Sequence, residues 1–447
     1  MKKWNKAAAT VLAGTMVLSL AACGGSSTTE TKAAAGTTAA ASGEAKAAEA
    51  APAGGQTLTV LLSEEPGEGD ALNMMFEKWA EETGNNLDIQ IIAYDDQLTK
   101  FPAMAKNKDL PDLISTTRLH QLYPEEFVDL RDHFDMNMFE ASALKIVGKD
   151  YVSDKITGLP HQFTATCVYY NKDAFEAAGL EAPTAENPWT WDELYANAAT
   201  LMEKGGVKYG FAADVSRARY DILMYANGGS LTLADGDTFK VNVNCDANVK
   251  TLEAFVEANK TVMPQAIWAG ATADNPADYF KNGDVGVYLS GSWNYASFVS
   301  DISAFDFGLM PSPAGSAGQS CIIGGSALAV PANADNSDLG IEFLKWMYEE
   351  ENFKTYIQAD KGLSSLNNVI YEPDSDEGKE DYTVIQGEVA YVTDTFMVDE
   401  SSAWRNYKDN EYRDYLKRAV AGEMTAKEAL DAFANELAES SEWAIAE

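Results

Sequence analysis

Histidine is nearly missing from this chain of 447 residues: His120, His133 and His161 are all there are. Their spacing offers no zinc site, which needs ligands clustered at short intervals. Basic residues are scarce too. Lys plus Arg number 33 against 69 Asp plus Glu, a formal net charge of −36. Phosphate backbones and anionic lipid are held by basic patches, so this balance argues against nucleic acid or an anionic membrane surface as partner. Of 4 cysteines, Cys23 lies near the start, and Cys167, Cys245 and Cys321 cannot all pair internally. Buried free thiols are the expectation, with Cys167–Cys321 the pair to test.

Catalytic signatures are also lacking. Gly67-x-Gly69 is followed by Leu72 where a dinucleotide loop needs its third glycine, and there is no P-loop. Gly324-Gly325-Ser326 does not have the G-x-S-x-G spacing of a nucleophile elbow. Asp374-x-Asp376 followed by Gly378 puts its glycine out of register for an EF-hand and reads as a solvated acidic loop. A glycosidase needs two carboxylates at a fixed separation, and nothing marks such a pair among the 69 acids. No enzyme activity, metal or cofactor is expected.

No apolar run is long enough to span a bilayer. The longest, Ala7 to Ala22, is short of the roughly 20 residues a spanning helix needs. Behind Lys2, Lys3 and Lys6 it reads as a signal peptide. It ends Leu20-Ala21-Ala22-Cys23, which resembles a bacterial lipobox. That resemblance implies loss of residues 1–22 and lipidation of Cys23, with anchoring through two or three acyl chains. A plain secretory signal cleaved at the same alanines is the alternative. Residues 23–55 carry Ala, Thr, Ser, Gly, Glu and Lys without a large apolar side chain. They cannot bury enough surface to offset their entropy and read as a flexible tether.

The rest is globular in composition, 46% hydrophobic and 23% charged. Thr57–Leu62 predicts a strand. Asp70 caps a helix whose Leu72, Met75, Phe76 and Trp79 form one stripe, ended by Gly84. Leu87–Ala93 is a second strand, Leu98–Ala105 a helix, and Leu113-Ile114 leads a third strand. This alternation implies an α/β fold with a parallel sheet. Ligands of such sheets bind in the loops after strand carboxyl ends. Glu64 and Glu65 follow the first strand, and Thr116 to Arg118 the third. A solvated acidic turn is the competing account of Glu64 and Glu65.

Further on, Phe163–Tyr170 predicts a strand bounded by Gly158-Leu159-Pro160, with Asn171 capping a helix that Gly179 ends. Thr190 and Glu193 form a capping box, as do Thr425 and Glu428. Tyr220–Gly229 reads as a helix, Leu231–Val243 as a hairpin turning at Asp235-Gly236, and Ala247–Lys260 as a helix. Pro276 starts a helix at N1 and Ser337 caps another. Val285–Leu289 is a strand with Trp293 just beyond it.

Several words of this chain, in order, resemble the family 1 extracellular solute-binding proteins, the sugar-capturing receptors of ABC importers. They are GLP at Gly158, YYNKD-F at Tyr169, AGL-x-x-P at Ala178, PWTWDEL at Pro188, VGVYLSGSW from Val285 to Trp293, FGLMPSP at Phe307 and GEMTAKEALDAF at Gly422. The resemblance spans about Gln56 to Glu447. It implies a two-lobe periplasmic-binding-protein-like fold of type II. The lobes would be residues 56–164 with 327–368, and 165–326 with 369–447. Crossings would fall near Phe163–Cys167, Cys321–Ala327 and Val369–Thr383.

On this resemblance a carbohydrate, mono- or oligosaccharide, binds between the lobes of a monomer and is delivered to the membrane permease. Glu64, Glu65 and Arg118 would serve from the first lobe, Tyr225, Asn227, Trp293 and Trp404 from the second, and Gln162 from the hinge. Trp293 would stack a sugar ring on its flat face, although a core tryptophan is the commoner fate. Trp404 is placed equally well as a stacking ring or as packing for the terminal helix. A polyamine receptor of the same fold and a surface glycoside hydrolase are the alternatives.

Overall fold

The computed structural model describes residues 55–67, 70–150 and 153–446. The expected signal peptide, Cys23 and nearly all of the tether lie outside them.

Three strands, β1 (Thr57–Leu62), β2 (Asn86–Ile91) and β3 (Leu113–Thr116), pair in parallel with β1 in the centre. The Ala71–Thr83 helix joins β1 to β2. Asp70 accepts a hydrogen bond from the Asn73 N–H at 2.8 Å, and Gly84 ends the helix at φ 73. Its stripe of Leu72, Met75, Phe76 and Trp79 is buried as the spacing predicts. Phe76 stacks at 4.8 Å on Phe343, which belongs to the Ser337–Met347 helix.

The organising strand is β4 (Leu159–Asn171), thirteen residues long. Its first half pairs antiparallel with β10 (Ile323–Ala329), which in turn pairs with β3. Its second half pairs with β8 (Val285–Gly291) and with β9 (Phe307–Met310), and β5 (Tyr209–Ala213) lies parallel to β8. The sheet order is therefore β2-β1-β3-β10-β4-β8-β5. A separate sheet is the hairpin β6 (Thr232–Asp235) and β7 (Thr238–Val241) with β11 (Ala444–Ile445), turning at Gly236. One long strand thus runs through two α/β halves.

The structure corrects several details expected from the sequence. Leu159 and Pro160 lie inside β4 rather than before it. Pro160 faces the bulge between Ser326 and Ala327, where its missing N–H breaks no regular ladder. The expected Tyr220–Gly229 helix is Arg217–Ala226, capped by the Ser216 hydroxyl. Ser337 does not cap its helix; its Oγ donates to the Pro331 carbonyl at 2.7 Å. The expected third crossing is flanked by anchored residues. Ser365 donates to the Pro160 carbonyl on one side, and the Asp376–Glu388 helix is already fixed on the other, where Asp381 accepts from the Leu309 N–H at 3.0 Å.

Cys167, Cys321 and Cys245 are free thiols. The β4–β10 register, with Ile323 opposite Ala165, brings buried Cys321 across from buried Cys167. Two of the scarce histidines are structural. His161 bridges Tyr356 Oη at 3.0 Å and Ser115 Oγ at 3.2 Å, and His120 meets Thr157 Oγ1 at 3.1 Å. Burial pulls both imidazoles down to about 3.

Buried acids behave oppositely. Glu388, 1% exposed, accepts from the Ser312 N–H at 2.8 Å and from its hydroxyl, yet burial pushes its carboxyl up to about 7. Burial likewise raises Asp221, Asp360 and Asp399 to about 6. All four hold protons more tightly folded than unfolded. Their contribution is fully present below the ordinary carboxylate range and is lost as pH rises through 6 to 7. The melting temperature should therefore rise as pH falls from about 8 to about 6.5, below which the two buried imidazoles begin to oppose the effect. Glu388→Gln should raise the melt at the alkaline end and leave the acid end nearly unchanged. A melting temperature that drops steadily with pH over that interval would contradict this account.

Candidate functional site

Four strands, β1, β3, β5 and β8, point their carboxyl ends at one cavity of about 560 Å³. This is where ligands of open α/β sheets bind. Its floor is the β4–β10 pair, through Gln162, Thr164 and Gly324 to Ser326. Gly325 has φ +148, and a Cβ there would lie 1.9 Å from the Gln162 carbonyl oxygen. Only glycine fits this floor.

On the first-half side, Glu64 follows β1 and Arg118 follows β3. Arg118 is held in a tight turn: the Thr116 hydroxyl accepts from the Arg118 N–H at 3.1 Å and the Leu119 N–H at 3.0 Å. On the other side, Val215 to Arg219 follow β5, and Trp293 follows β8. Further wall comes from Phe396 and Glu400 on the Asp394–Ser401 helix and from Arg405, Asn410 and Arg413 on the Arg405–Ala421 helix.

Trp293 is 40% exposed, and its ring is positioned by two neighbours. A Cβ on Gly291 would meet its Cζ3 at 1.9 Å, so the ring lies directly on the Gly291 backbone. The Arg219 guanidinium sits 5.0 Å from the ring centroid, a cation–π contact. Arg219 is itself buried and donates to the Ser290 carbonyl and to Thr166 Oγ1 at 3.4 Å. Asp214 is its charge partner and accepts from the Tyr288 and Ser290 hydroxyls. Burial pulls the Arg219 guanidinium below its ordinary value and pushes the Asp214 carboxyl above its own. Arg217 donates to Asp221 at 2.7 Å, and Arg217 and Arg405 converge on Glu400.

Of the residues singled out from the sequence, Glu64, Arg118, Gln162 and Trp293 line this one cavity. Glu65 is exposed and lies outside the lining. Tyr225, Asn227 and Trp404 are elsewhere. Tyr225 is 3% exposed and donates to Asp399 at 2.7 Å, a carboxylate that also accepts from the Leu231 and Thr232 N–H groups. Asn227 ends its helix, donating to the Leu223 carbonyl at 2.9 Å, and faces a separate depression beside Trp191. Trp404, 1% exposed, packs edge-on against Tyr412 and Phe433, with Arg217 over its ring at 5.1 Å. It supports the wall from behind.

Sequence reasoning missed Arg217, Arg219, Arg405 and Arg413. A signal existed: the chain has only seven arginines, and two of them stand as Arg-x-Arg just past a strand. Among the described residues no group of three or more potential ligands could hold a metal ion, and no helix is long and apolar enough to cross a membrane.

Comparison with known proteins fits this geometry. Residues 63–352 match the model of the bacterial extracellular solute-binding protein family, and the chain belongs to that family. It is 25% identical over 378 residues to the diacetylchitobiose binding protein DasA of Streptomyces coelicolor, covering 81% of this chain and 80% of that one. It is 27% identical over 256 residues to the sn-glycerol-3-phosphate-binding periplasmic protein UgpB of Shigella dysenteriae, covering 54% and 56%. An ABC substrate-binding protein of Listeria monocytogenes in complex with cycloalternan superposes with TM-score 0.70 at 20% identity, over 87% of this chain and 100% of the other. The GacH receptor of Streptomyces glaucescens does so with TM-score 0.71 at 19% identity, over 87% and 99%. The fold is the two-lobe, type II periplasmic-binding-protein architecture.

The Gly291 contact gives a direct check on the Trp293 geometry. Gly291→Ala should displace the ring, shifting the tryptophan emission maximum. The shift should vanish when the same change is made in a Trp293→Phe background. An unchanged spectrum in Gly291→Ala would place the ring elsewhere.

Proposed function

We propose that this protein is the substrate-binding lipoprotein of an ABC importer, capturing a carbohydrate between two lobes and presenting it to the membrane permease. The observation that carries the reading is the Trp293 ring, half-exposed in a polar cavity at the strand ends. A sugar has an apolar C–H face and a hydroxyl rim, so a flat aromatic among hydrogen-bonding groups is the complementary surface. Relatives whose names specify diacetylchitobiose, cycloalternan or maltose support the same ligand class.

The lobes are residues 56–164 with 327–368, and 165–326 with 369–447. They close by hinge motion about β4, β10 and the segment before Ser375. Glu64, Arg118, Gln162 and Trp293 contact the sugar. Glu65, Tyr225, Asn227 and Trp404 do not. The protein works as a monomer and makes or breaks no bond. Cys23, once lipidated, holds it at the outer face of the cell membrane, with residues 23–55 as tether. A polyamine is disfavoured, because five arginines line the cavity.

Melting temperature recorded against mono- and oligosaccharides, polyamines and amino acids tests the ligand class. A ligand at 100 times its Kd adds about 2.7 kcal/mol, a shift of several degrees. A shift with polyamines alone would overturn the sugar. Trp293→Ala should weaken the responding sugar at least tenfold while the fold persists; unchanged affinity would remove Trp293 from the site. Cys23→Ala should leave the protein released or unprocessed, and a cleaved mutant still held at the membrane would sink the anchor.

A further inference from the structure

We infer that the captured carbohydrate is acidic and longer than one ring: an oligosaccharide bearing carboxylate, sulfate ester or phosphate ester groups. This rests on the carbohydrate reading above and narrows it.

The first observation is compositional. In the whole chain acids outnumber bases 69 to 33. In the described cavity lining the balance inverts: Arg118, Arg217, Arg219, Arg405 and Arg413 face Glu64 and Glu400. Five of the seven arginines in the sequence are gathered there, and not one of its lysines. Arginine presents a rigid planar fork of N–H donors that matches carboxylate, sulfate and phosphate oxygens two at a time; lysine is a point charge without that geometry. The selection of one base over the other points to planar anion recognition rather than to general positive charge.

The second observation is how few carboxylate acceptors stand against those donors. A neutral sugar hydroxyl donates as well as accepts, so a neutral glycan needs carboxylate or amide oxygens around it. Glu400 is already engaged by Arg217 and Arg405, and the other carboxylate of the described lining is Glu64. The counter-charges behind the wall, Asp214 and Asp221, lie outside the lining, and burial raises both carboxyls. Beside Trp293, the Arg219 Nε is buried without a hydrogen-bond partner. Guanidinium donors thus outnumber carboxylate acceptors in the described lining, the complement of an acidic glycan.

The third observation sets the length. A second chamber of about 360 Å³ adjoins the first and shares Arg118, Arg405 and Asn410 with it. Its lining adds Tyr123, Glu411 and Tyr407, the last 41% exposed. A chain with one ring on Trp293 and another near Tyr407 passes both shared arginines, which face a negative group between them.

Titration calorimetry tests this with uronic-acid oligomers of one to four rings, a sulfated disaccharide and a sugar phosphate. Each is paired with its neutral counterpart of equal length, at low and high salt. At least one acidic member should bind at least tenfold more tightly than its neutral counterpart. Its affinity should grow beyond one ring and fall with salt. Arg405→Gln should lower acidic-glycan affinity at least tenfold more than neutral-glycan affinity, collapsing that ratio toward one, and Arg405→Lys should restore it only in part. A merely structural role would weaken both ligands alike. A neutral glycan binding as tightly as every acidic partner would overturn the acidic ligand and leave the carbohydrate receptor standing. Tight binding of one acidic ring, with no gain from a second, would overturn the length. Binding by no glycan of either kind would bring down the carbohydrate reading itself.

Discussion

Everything in this molecule turns on one pair of antiparallel strands. β4 belongs to both halves and β10 joins its first half to β3, so the backbone ladder that closes the first half is continuous with the one that closes the second. The pair is also the floor of the cavity. That double duty explains its irregularities. A bulge between Ser326 and Ala327 lets Pro160 sit where a donor would be needed. Gly325 takes a left-handed φ because the Gln162 carbonyl occupies the space a side chain would fill. A stiff, regular ladder at this place would resist the twisting that the proposed hinge closure demands, and a broken one would leave buried peptide groups unpaired. The bulged pair meets both requirements.

Much of this was legible in the sequence, and the reasons are physical. Capping boxes at Thr190 and Thr425 are formed by residues one helical turn apart in the chain, so local order is enough to read them. The alternation of strands and helices fixes a parallel sheet, and the strand-end rule then found Glu64 and Arg118. The same rule applied to β5 would have found Arg217 and Arg219. The aromatic and amide groups at Tyr225 and Asn227 were the more conspicuous sugar partners. They do not reach the cavity, because the Arg217–Ala226 helix is enclosed almost all round and its spacing gives no face to choose. Trp404 illustrates a different limit. Tyrosine, phenylalanine and arginine surround it, and nothing local tells a ring that lines a wall from one that props it up. Arg405 and Arg413 come from a helix remote in sequence, and only the tertiary fold brings them to the cavity.

Gathering arginines in one place is costly in a folded chain, since buried guanidinium groups must be held in ionised form by neighbours. Here the neighbours form layers. Arg219 is backed by Asp214, which is backed by Tyr288 and Ser290. Arg217 is backed by Asp221, which accepts from Tyr412. Trp404 and Trp293 each lend a π face to one of them. The buried carboxylates that raise the chain's acid preference are, to a degree, the same groups that hold its binding wall in shape.

Above the β4–β10 floor the lining rises from loops at strand ends and from two late helices, while hydrogen-bonded ladders carry the fold, so the rim and the fold are nearly separable. Replacement at Val215 or Asn410 changes the lining without touching a strand register. Diversification within such a lineage is then a matter of exchanging rims on an unchanged hinge, and a single duplication of the gene could give otherwise superposable copies separate diets.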